Sequence, residues 1–186
     1  MKKLKGLIAA VLVGATILSA TGCSGVKYIE DEDVFFDALQ DAAGIKKKEM
    51  LIREKNTTYN GVDVEYLTFT EDGGNTYCYI RFEDEDDAMD TFKDKYDSFE
   101  DLLDDKEFDG SNKRMLSNDK GYLILDGDLE EGAEFDGSTF NTGDVNYYGG
   151  FYVNKNVYIE VYTLEGSRRD KEKINAMLKA LNFPAP

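Results

Sequence analysis

The chain has 186 residues, of which 38 are acidic and 22 are basic, and its formal net charge is −16 at neutral pH. This balance argues against nucleic-acid binding and against peripheral binding to anionic lipid headgroups, because both need lysine and arginine to meet phosphates. The chain contains no histidine, which excludes Ser-His-Asp and Cys-His nucleophilic systems and imidazole zinc sites.

The first 22 residues have the order of a secretory signal peptide, in which positive charge, an apolar run and small residues follow one another. Three lysines lie within the first five residues, and the apolar run covers residues 7–18. This run is shorter than the ~20 residues that a membrane-spanning helix needs. Removal of residues 1–22 leaves 164 of the 186 residues and takes away three lysines and no acid, so the net charge changes from −16 to −19.

The signal sequence ends in Ala20-Thr21-Gly22-Cys23, which resembles the lipobox of bacterial lipoproteins. The resemblance covers residues 1–23 and implies that Cys23 receives a diacylglyceryl group and becomes the N-terminus. It thereby implies an anchor of acyl chains, such as palmitate, on the extracytoplasmic face of a bacterial membrane, where two or three chains bind stably. The other interpretation is an ordinary secreted protein that is cut after Ala20 or Gly22.

The first predicted element of the remaining chain is a helix that begins at Asp31 or Asp33 and ends at Ala43. Apolar residues recur there at helical spacing, and acids occupy the first turn. Residues 50–52 are predicted as a short strand, and residues 60–61, Asn-Gly, mark a turn.

The next predicted element is a hairpin of two strands, residues 62–70 and 76–82, which are rich in β-branched and aromatic residues. Alternation along the second strand places Cys78 on the same face as Ile80 and Phe82. Free cysteine is among the most buried residue types, so Cys78 is predicted to be a small buried side chain. With the other cysteine acylated, no partner remains for an intramolecular disulfide.

A long helix over residues 84–103 follows, since apolar residues recur at spacings of three and four. Its predicted buried residues are Ala88, Phe92, Tyr96, Phe99 and Leu103. A second hairpin pairs residues 115–116 with residues 122–125. The stretch over residues 127–144 is too long for an ordinary loop, which indicates a functional or partly ordered segment.

A last hairpin, residues 147–153 with residues 157–163, and a last helix over residues 169–181 complete the chain. These elements predict an α+β fold with an antiparallel sheet of about 5–7 strands built from hairpins and about three helices packed mainly on one face. We expect a short tether over residues 23–28 and a single acidic domain over residues 29–186.

Two patterns suggest an internal duplication. A hairpin followed by a helix occurs over residues 62–103 and again over residues 146–181, and the pentapeptide of residues 107–111 recurs at residues 134–138. The other interpretation is chance similarity between common turn sequences.

The end of the long predicted helix is crowded with carboxylates, which oppose the helix dipole there. These acids are Asp101, Asp104, Asp105, Glu107 and Asp109. Ca²⁺ takes six to eight oxygen ligands and would relieve the crowding. An EF-hand does not fit, because the twelfth loop position is Leu116 and the loop would contain Lys113 and Arg114. The other interpretation, which applies equally to the acids of residues 126–136, is a solvated acidic face screened by salt.

A second candidate site is aromatic. If Val153 pairs with Val157 across a three-residue turn, four tyrosines share one face of the last hairpin. They are Tyr148, Tyr152, Tyr158 and Tyr162. Tyrosine is favoured at recognition surfaces, so this face would suit a protein or glycan partner. The alternative is that the rings only stabilise the strands, or that another element covers them.

The sequence therefore predicts a lipid-anchored extracytoplasmic bacterial lipoprotein with a non-enzymatic binding or interaction domain. Its expected partners are the membrane, through Cys23, and a protein or glycan, with no nucleic acid and no cofactor other than Ca²⁺. The first alternative is a calcium-dependent surface module that uses the acidic clusters. The second is a hydrolase that uses paired carboxylates, although any one pair among 38 acids is uninformative without geometry.

Overall fold

The computed structural model describes residues 25–135, 137–141 and 145–186. This part of the chain contains three α-helices, which are α1 (Glu32–Ala43), α2 (Glu85–Asp105) and α3 (Arg168–Leu181). Its strands are β1 (Ile52–Tyr59), β2 (Val62–Asp72), β3 (Asn75–Phe82), β4 (Phe108–Leu116), β5 (Lys120–Leu129), β6 (Glu134–Phe135), β7 (Ser138–Thr139), β8 (Val145–Asn154) and β9 (Val157–Thr163).

Seven strands form one sheet in the order β1-β2-β3-β9-β8-β5-β4. Every neighbouring pair is antiparallel, and β3 and β9 join the two halves of the chain at the middle of the sheet. The β6–β7 hairpin is a separate two-stranded sheet. The predicted α+β class, with an antiparallel sheet of hairpins and three helices, is confirmed.

The helices cover both faces of the sheet, with α1 and α3 on one face and α2 with β6 on the other, so the expected packing mainly on one face holds for two of the three helices. Each helix begins at a residue whose side chain accepts a hydrogen bond from the first turn, namely Asp31, Asp84 and Ser167. Because strand side chains alternate, Tyr79 packs under α1 and α3, whereas Cys78 and Ile80 pack under α2. The molecule therefore has two cores separated by the sheet.

The segment before α1 is part of the folded domain. Val26 and Ile29 are 5% and 3% exposed and belong to the core under α1 and α3. The side chain of Asn154 donates to the carbonyl of Val26 at 2.6 Å, and the Tyr79 hydroxyl donates to the carbonyl of Ile29 at 3.1 Å. Residues 26–28, which we expected to belong to the tether, are instead packed against the domain.

The edge strand β1 is longer than the sequence pattern predicted. It begins at Ile52, where the predicted strand ended, and continues to Tyr59 before the predicted Asn-Gly turn. Most of its residues are exposed at this edge of the sheet. The strand consequently shows no apolar alternation, which is the signal that sequence reasoning uses.

The β8–β9 hairpin pairs one residue away from the predicted register. Val153 lies opposite Tyr158, and Asn154 lies opposite Val157, across a turn of two residues. The predicted pairing of Val153 with Val157 is therefore wrong. Because side chains alternate with a period of two, a shift of one residue moves a strand's side chains to the other face relative to its partner.

The two hairpin–helix units differ in hand. In the first unit α2 follows β3, and in the second α3 follows β9, but the helices lie on opposite faces of the sheet. Each unit can be viewed from the face that its own helix covers, with its last strand pointing up. In these two views, β2 lies on one side of β3, whereas β8 lies on the other side of β9. A duplicated unit would retain its hand. The pentapeptide copies also differ, since four residues of the first begin β4 and the second belongs to the β6–β7 hairpin.

Among the described residues, no helix is both long enough and apolar enough to cross a membrane.

Candidate functional site

The connection between β5 and β8, residues 130–144, folds back over the sheet. Its described part contains the β6–β7 hairpin, and the ring of Phe135 is 3% exposed in the core under α2. The backbone amide of Glu130 donates to the carbonyl of Glu107 at 2.9 Å, which joins this connection to the segment that follows α2. The described part of the β5–β8 connection thus forms a wall beside α2.

A pocket of about 150 Å³ lies between this wall, α2 and the ends of β8 and β9 that are distant from their turn. Its lining residues are Lys95, Phe135, Ser138, Phe140, Tyr147, Phe151, Tyr162 and Leu164. A cavity of about this volume holds one benzene molecule in a protein core. The pocket therefore has room for one ring-sized group.

The aromatic lining is held by contacts between its own rings. The ring centroid of Phe135 lies 5.7 Å from that of Tyr147 and 5.8 Å from that of Phe151, in edge-to-face geometry. Tyr147 stacks on Tyr162 with 4.8 Å between centroids. These are preferred arrangements of aromatic pairs, so the walls are preorganised rather than assembled by a ligand.

A buried ion pair lies beside the aromatic rings. The ammonium of Lys95 is 3.4 Å from a carboxylate oxygen of Glu160, and both side chains are less than 10% exposed. The Tyr158 hydroxyl donates to the same carboxylate oxygen at 2.8 Å, and the Lys95 ammonium lies 4.9 Å from the ring centroid of Phe151. Buried pairs of this kind rarely add to stability over apolar residues of similar volume, so a functional role is a natural reason for them.

Cys78 lies across the β3–β9 pairing from Glu160. Its side chain is 3% exposed, and burial raises the pKa of the thiol well above its ordinary value, with the negative charge of Glu160 as a further cause. The prediction of a small buried side chain is confirmed. Because the thiolate is the reactive form, this cysteine is held in its unreactive state.

Sequence reasoning missed the ion pair, although α2 carries a signal for it. The buried residues of α2 are Ala88, Met89, Phe92, Lys95, Phe99 and Leu102. Lys95 therefore lies in the apolar stripe, whereas the predicted Tyr96 and Leu103 are only half-buried. Glu160 similarly interrupts an apolar run in β9. A charged residue at a core position in each of two elements is a pattern that predicts a buried pair.

The structure does not bring the four predicted tyrosines together. Tyr148 and Tyr152 are buried under α1 and α3, while Tyr158 and Tyr162 lie on the α2 face. Asn175 donates to the Tyr148 hydroxyl at 2.7 Å, and the Tyr152 hydroxyl donates to the carbonyl of Pro184 at 2.7 Å. The predicted exposed tyrosine face is therefore wrong, because it depended on the incorrect register. Tyr162 alone remains at the candidate site, in the wall of the pocket.

The predicted cation site is only partly assembled. Asp101, Asp105 and Glu107 line an open cleft of about 500 Å³ on the other side of the β6–β7 hairpin, and Asp104 and Asp109 are not among its lining residues. Within the described ranges, no three acidic, cysteine or histidine side chains converge closely enough to hold a metal ion. The cleft therefore offers a negative surface and not a coordination shell.

The acids of residues 126–136 divide between those with a side-chain partner and those exposed to solvent. Asp126 accepts from the ammonium of Lys171 at 3.2 Å, and Asp128 accepts from the side chain of Asn146 at 2.8 Å. Glu130 and Glu134 are exposed, and Asp136 lies outside the described residues. These acids are spread over the surface.

The predicted lipidation site, Cys23, also lies outside the described residues. Comparison of the chain with protein-family models, with curated proteins and with solved structures found no match.

Proposed function

We propose that this protein is a lipid-anchored extracytoplasmic bacterial lipoprotein that binds a ligand and does not catalyse a reaction. The signal sequence and Cys23 support the anchor. The pocket beside the β6–β7 hairpin is the proposed binding site, and the observation that carries this assignment is its preorganised aromatic lining around a ring-sized volume.

The expected ligand is a ring-shaped group, such as an aromatic side chain or a single sugar of a glycan. Aromatic walls offer apolar faces on which such rings pack, and a few polar groups then fix orientation. The lining residues with polar side-chain groups are Ser138 on the hairpin, Lys95 on α2, and Tyr147 and Tyr162 with their hydroxyl groups. The carboxylate of Glu160 offsets the positive charge of Lys95, so we expect the pocket to take a neutral ring.

The anchor is tested by replacing Cys23 in the full chain expressed in a bacterial host. The wild-type protein is expected to incorporate labelled palmitate and to sediment with membranes. Cys23→Ala is expected to lose the label and to appear in the soluble extracytoplasmic fraction, because one cysteine carries all the acyl chains. Equal palmitate labelling of the two proteins would contradict the anchor.

The pocket is tested by a matched pair of substitutions in the exposed hairpin. Ser138→Trp places a large side chain at the pocket, whereas Thr139→Trp, on the neighbouring exposed residue that does not line it, serves as the control. With p-cresol and methyl glucoside as probes in ligand-observed NMR, Ser138→Trp is expected to weaken binding at least about tenfold, or ~1.4 kcal/mol. Thr139→Trp is expected to bind as the wild type does. Absence of binding of both probes to the wild type, or equal effects of the two substitutions, would exclude this pocket.

A further inference from the structure

Residues 26–28, near the start of the described chain, are hydrogen-bonded to one end of the sheet. Asn154, the last residue of β8, donates its side-chain amide to the Val26 carbonyl at 2.6 Å, and the Tyr28 hydroxyl donates to the side chain of Asn156, in the β8–β9 turn, at 2.9 Å. The same end carries the β1–β2 and β4–β5 turns. We call it the turn end.

The pocket lies towards the opposite end of the strands. Tyr147 is near the start of β8, and Tyr162 is near the end of β9, so both are remote from the turn that joins these strands. The strand β2 has 11 residues and therefore measures about 33 Å from one end of the sheet to the other. We call the end beyond the pocket the pocket end.

Three lysines surround the place where the chain enters the domain. The ammonium of Lys155 lies 4.9 Å from the ring centroid of Tyr28. The ammonium of Lys120 lies 3.7 Å from the position that a Cβ atom on Gly25 would occupy. Lys27 is exposed in the same segment. Within the described part of the chain, none of the three lysines forms an ion pair.

The electrostatic environment of the turn end is set by the charged groups near it rather than by the acidic balance of the whole chain. Electrostatic interactions at exposed sites are largely screened beyond about 8 Å at physiological ionic strength. Acids also lie at the turn end, namely Asp119 in the β4–β5 turn, Glu83 and Asp84 before α2, and Glu30 in the entry segment, whose negative charge acts on Tyr28. Lys27 is the first charged residue after Cys23, so a surface held at Cys23 lies closer along the chain to this lysine than to Glu30.

The length of the chain before Val26 restricts where the membrane can be. Only Ser24 and Gly25 separate Cys23 from Val26 in the sequence. Three peptide units span at most about 11 Å. An acylated Cys23 would therefore hold the turn end within about one headgroup layer of the bilayer.

We propose that the turn end lies against the membrane, with Lys27, Lys120 and Lys155 in contact with anionic lipid headgroups, so that the pocket opens away from the bilayer. This inference rests on the lipid anchor proposed above. A lipid anchor combined with basic residues is a common two-part means of membrane attachment.

The orientation is tested with the acylated full chain in vesicles of phosphatidylcholine and phosphatidylglycerol. A fluorophore is attached at Asn118→Cys, in the β4–β5 turn, or at Glu71→Cys, near the opposite end of β2; both sites are exposed. Cys78 is buried and does not compete for the label. Lipids with nitroxide headgroups are expected to quench the label at residue 118 and to leave the label at residue 71 at its level in solution.

The headgroup contact is tested by neutralising the three lysines as Lys27→Gln, Lys120→Gln and Lys155→Gln. Quenching at residue 118 is expected to fall in vesicles with phosphatidylglycerol and to stay constant in vesicles of phosphatidylcholine alone. The control neutralises three exposed cations at the pocket end, Lys106, Arg168 and Arg169, and is expected to change neither. Equal loss in the two triple variants, or no loss in the first, would overturn the headgroup contact.

Flotation of the vesicles separates the two proposals. A wild-type protein that does not float with the vesicles would overturn the anchor and this inference together. A protein that floats but shows equal quenching at residues 71 and 118 would leave the anchor intact and overturn the orientation.

Discussion

Replacing Lys95 by methionine is expected to lower the free energy of unfolding by about 3–5 kcal/mol, because it leaves the carboxylate of Glu160 buried without its cation. Both side chains are less than 10% exposed and their charged atoms lie 3.4 Å apart. The free energies of unfolding of the variant and the wild type are measured by urea denaturation. They are compared with the same dependence on urea concentration applied to both proteins. The matched control is Lys93→Met on the same helix, whose pair with Asp90 is exposed and is worth at most about 1 kcal/mol.

The double variant Lys95→Met/Glu160→Gln separates stability from function. The amide of the new glutamine still offers an oxygen to the Tyr158 hydroxyl, which donates to Glu160 in the wild type. Most of the loss caused by Lys95→Met is therefore expected to be recovered, since residue 160 no longer carries a buried uncompensated charge. A single variant Lys95→Met within about 1 kcal/mol of the wild type would show that solvent reaches the pair through the pocket.

Replacing Phe99 by alanine is expected to cost about 3–5 kcal/mol, because a fully buried ring leaves a cavity behind. Phe99 is 0% exposed, and its ring centroid lies 5.1 Å from that of Phe108 and 6.3 Å from that of Phe135. It thus joins α2 to β4 and to the hairpin that forms the pocket wall. For a domain of this size, thermal unfolding should shift by about 2–4 °C for each kcal/mol lost.

The control for this substitution lies in the other core. Phe35 is also 0% exposed, but it packs under α1 and α3. Phe35→Ala is expected to destabilise the protein about as much as Phe99→Ala while leaving probe binding at the pocket unchanged, whereas Phe99→Ala should weaken binding as well. Equal binding by the two variants at a temperature where both are folded would contradict the role of Phe99 in holding the wall.

The pocket gives the β5–β8 connection a defined role. The sequence indicated only that residues 127–144 were too long for an ordinary loop. In the structure this segment carries Phe135 into the core and Ser138 to the pocket mouth, and it separates the aromatic pocket from the acidic cleft. A ligand in the pocket and a cation near the cleft would therefore contact opposite sides of the same hairpin.

Local signals in the sequence were sufficient for most elements and for the fold class. The N-terminal caps Asp31, Asp84 and Ser167 begin the three helices, and Gly44 ends the first with a left-handed conformation of φ 75°. Strand alternation correctly predicted the burial of Cys78. These features depend on residues within one or two turns of each other, so periodicity and turn chemistry contain the necessary information.

Contacts between distant segments were decided only by the tertiary structure. The edge strand β1 is mostly exposed, so its sequence needs no apolar face, and the β8–β9 register places side chains of both strands in the two cores on opposite faces of the sheet. Lys95 and Glu160 meet because α2 crosses β9, which neither segment specifies alone. In the assembled sheet, the environment of a side chain is set by elements that are far away in the chain. Burial on two faces, strand order and charge pairing therefore depend on the tertiary structure.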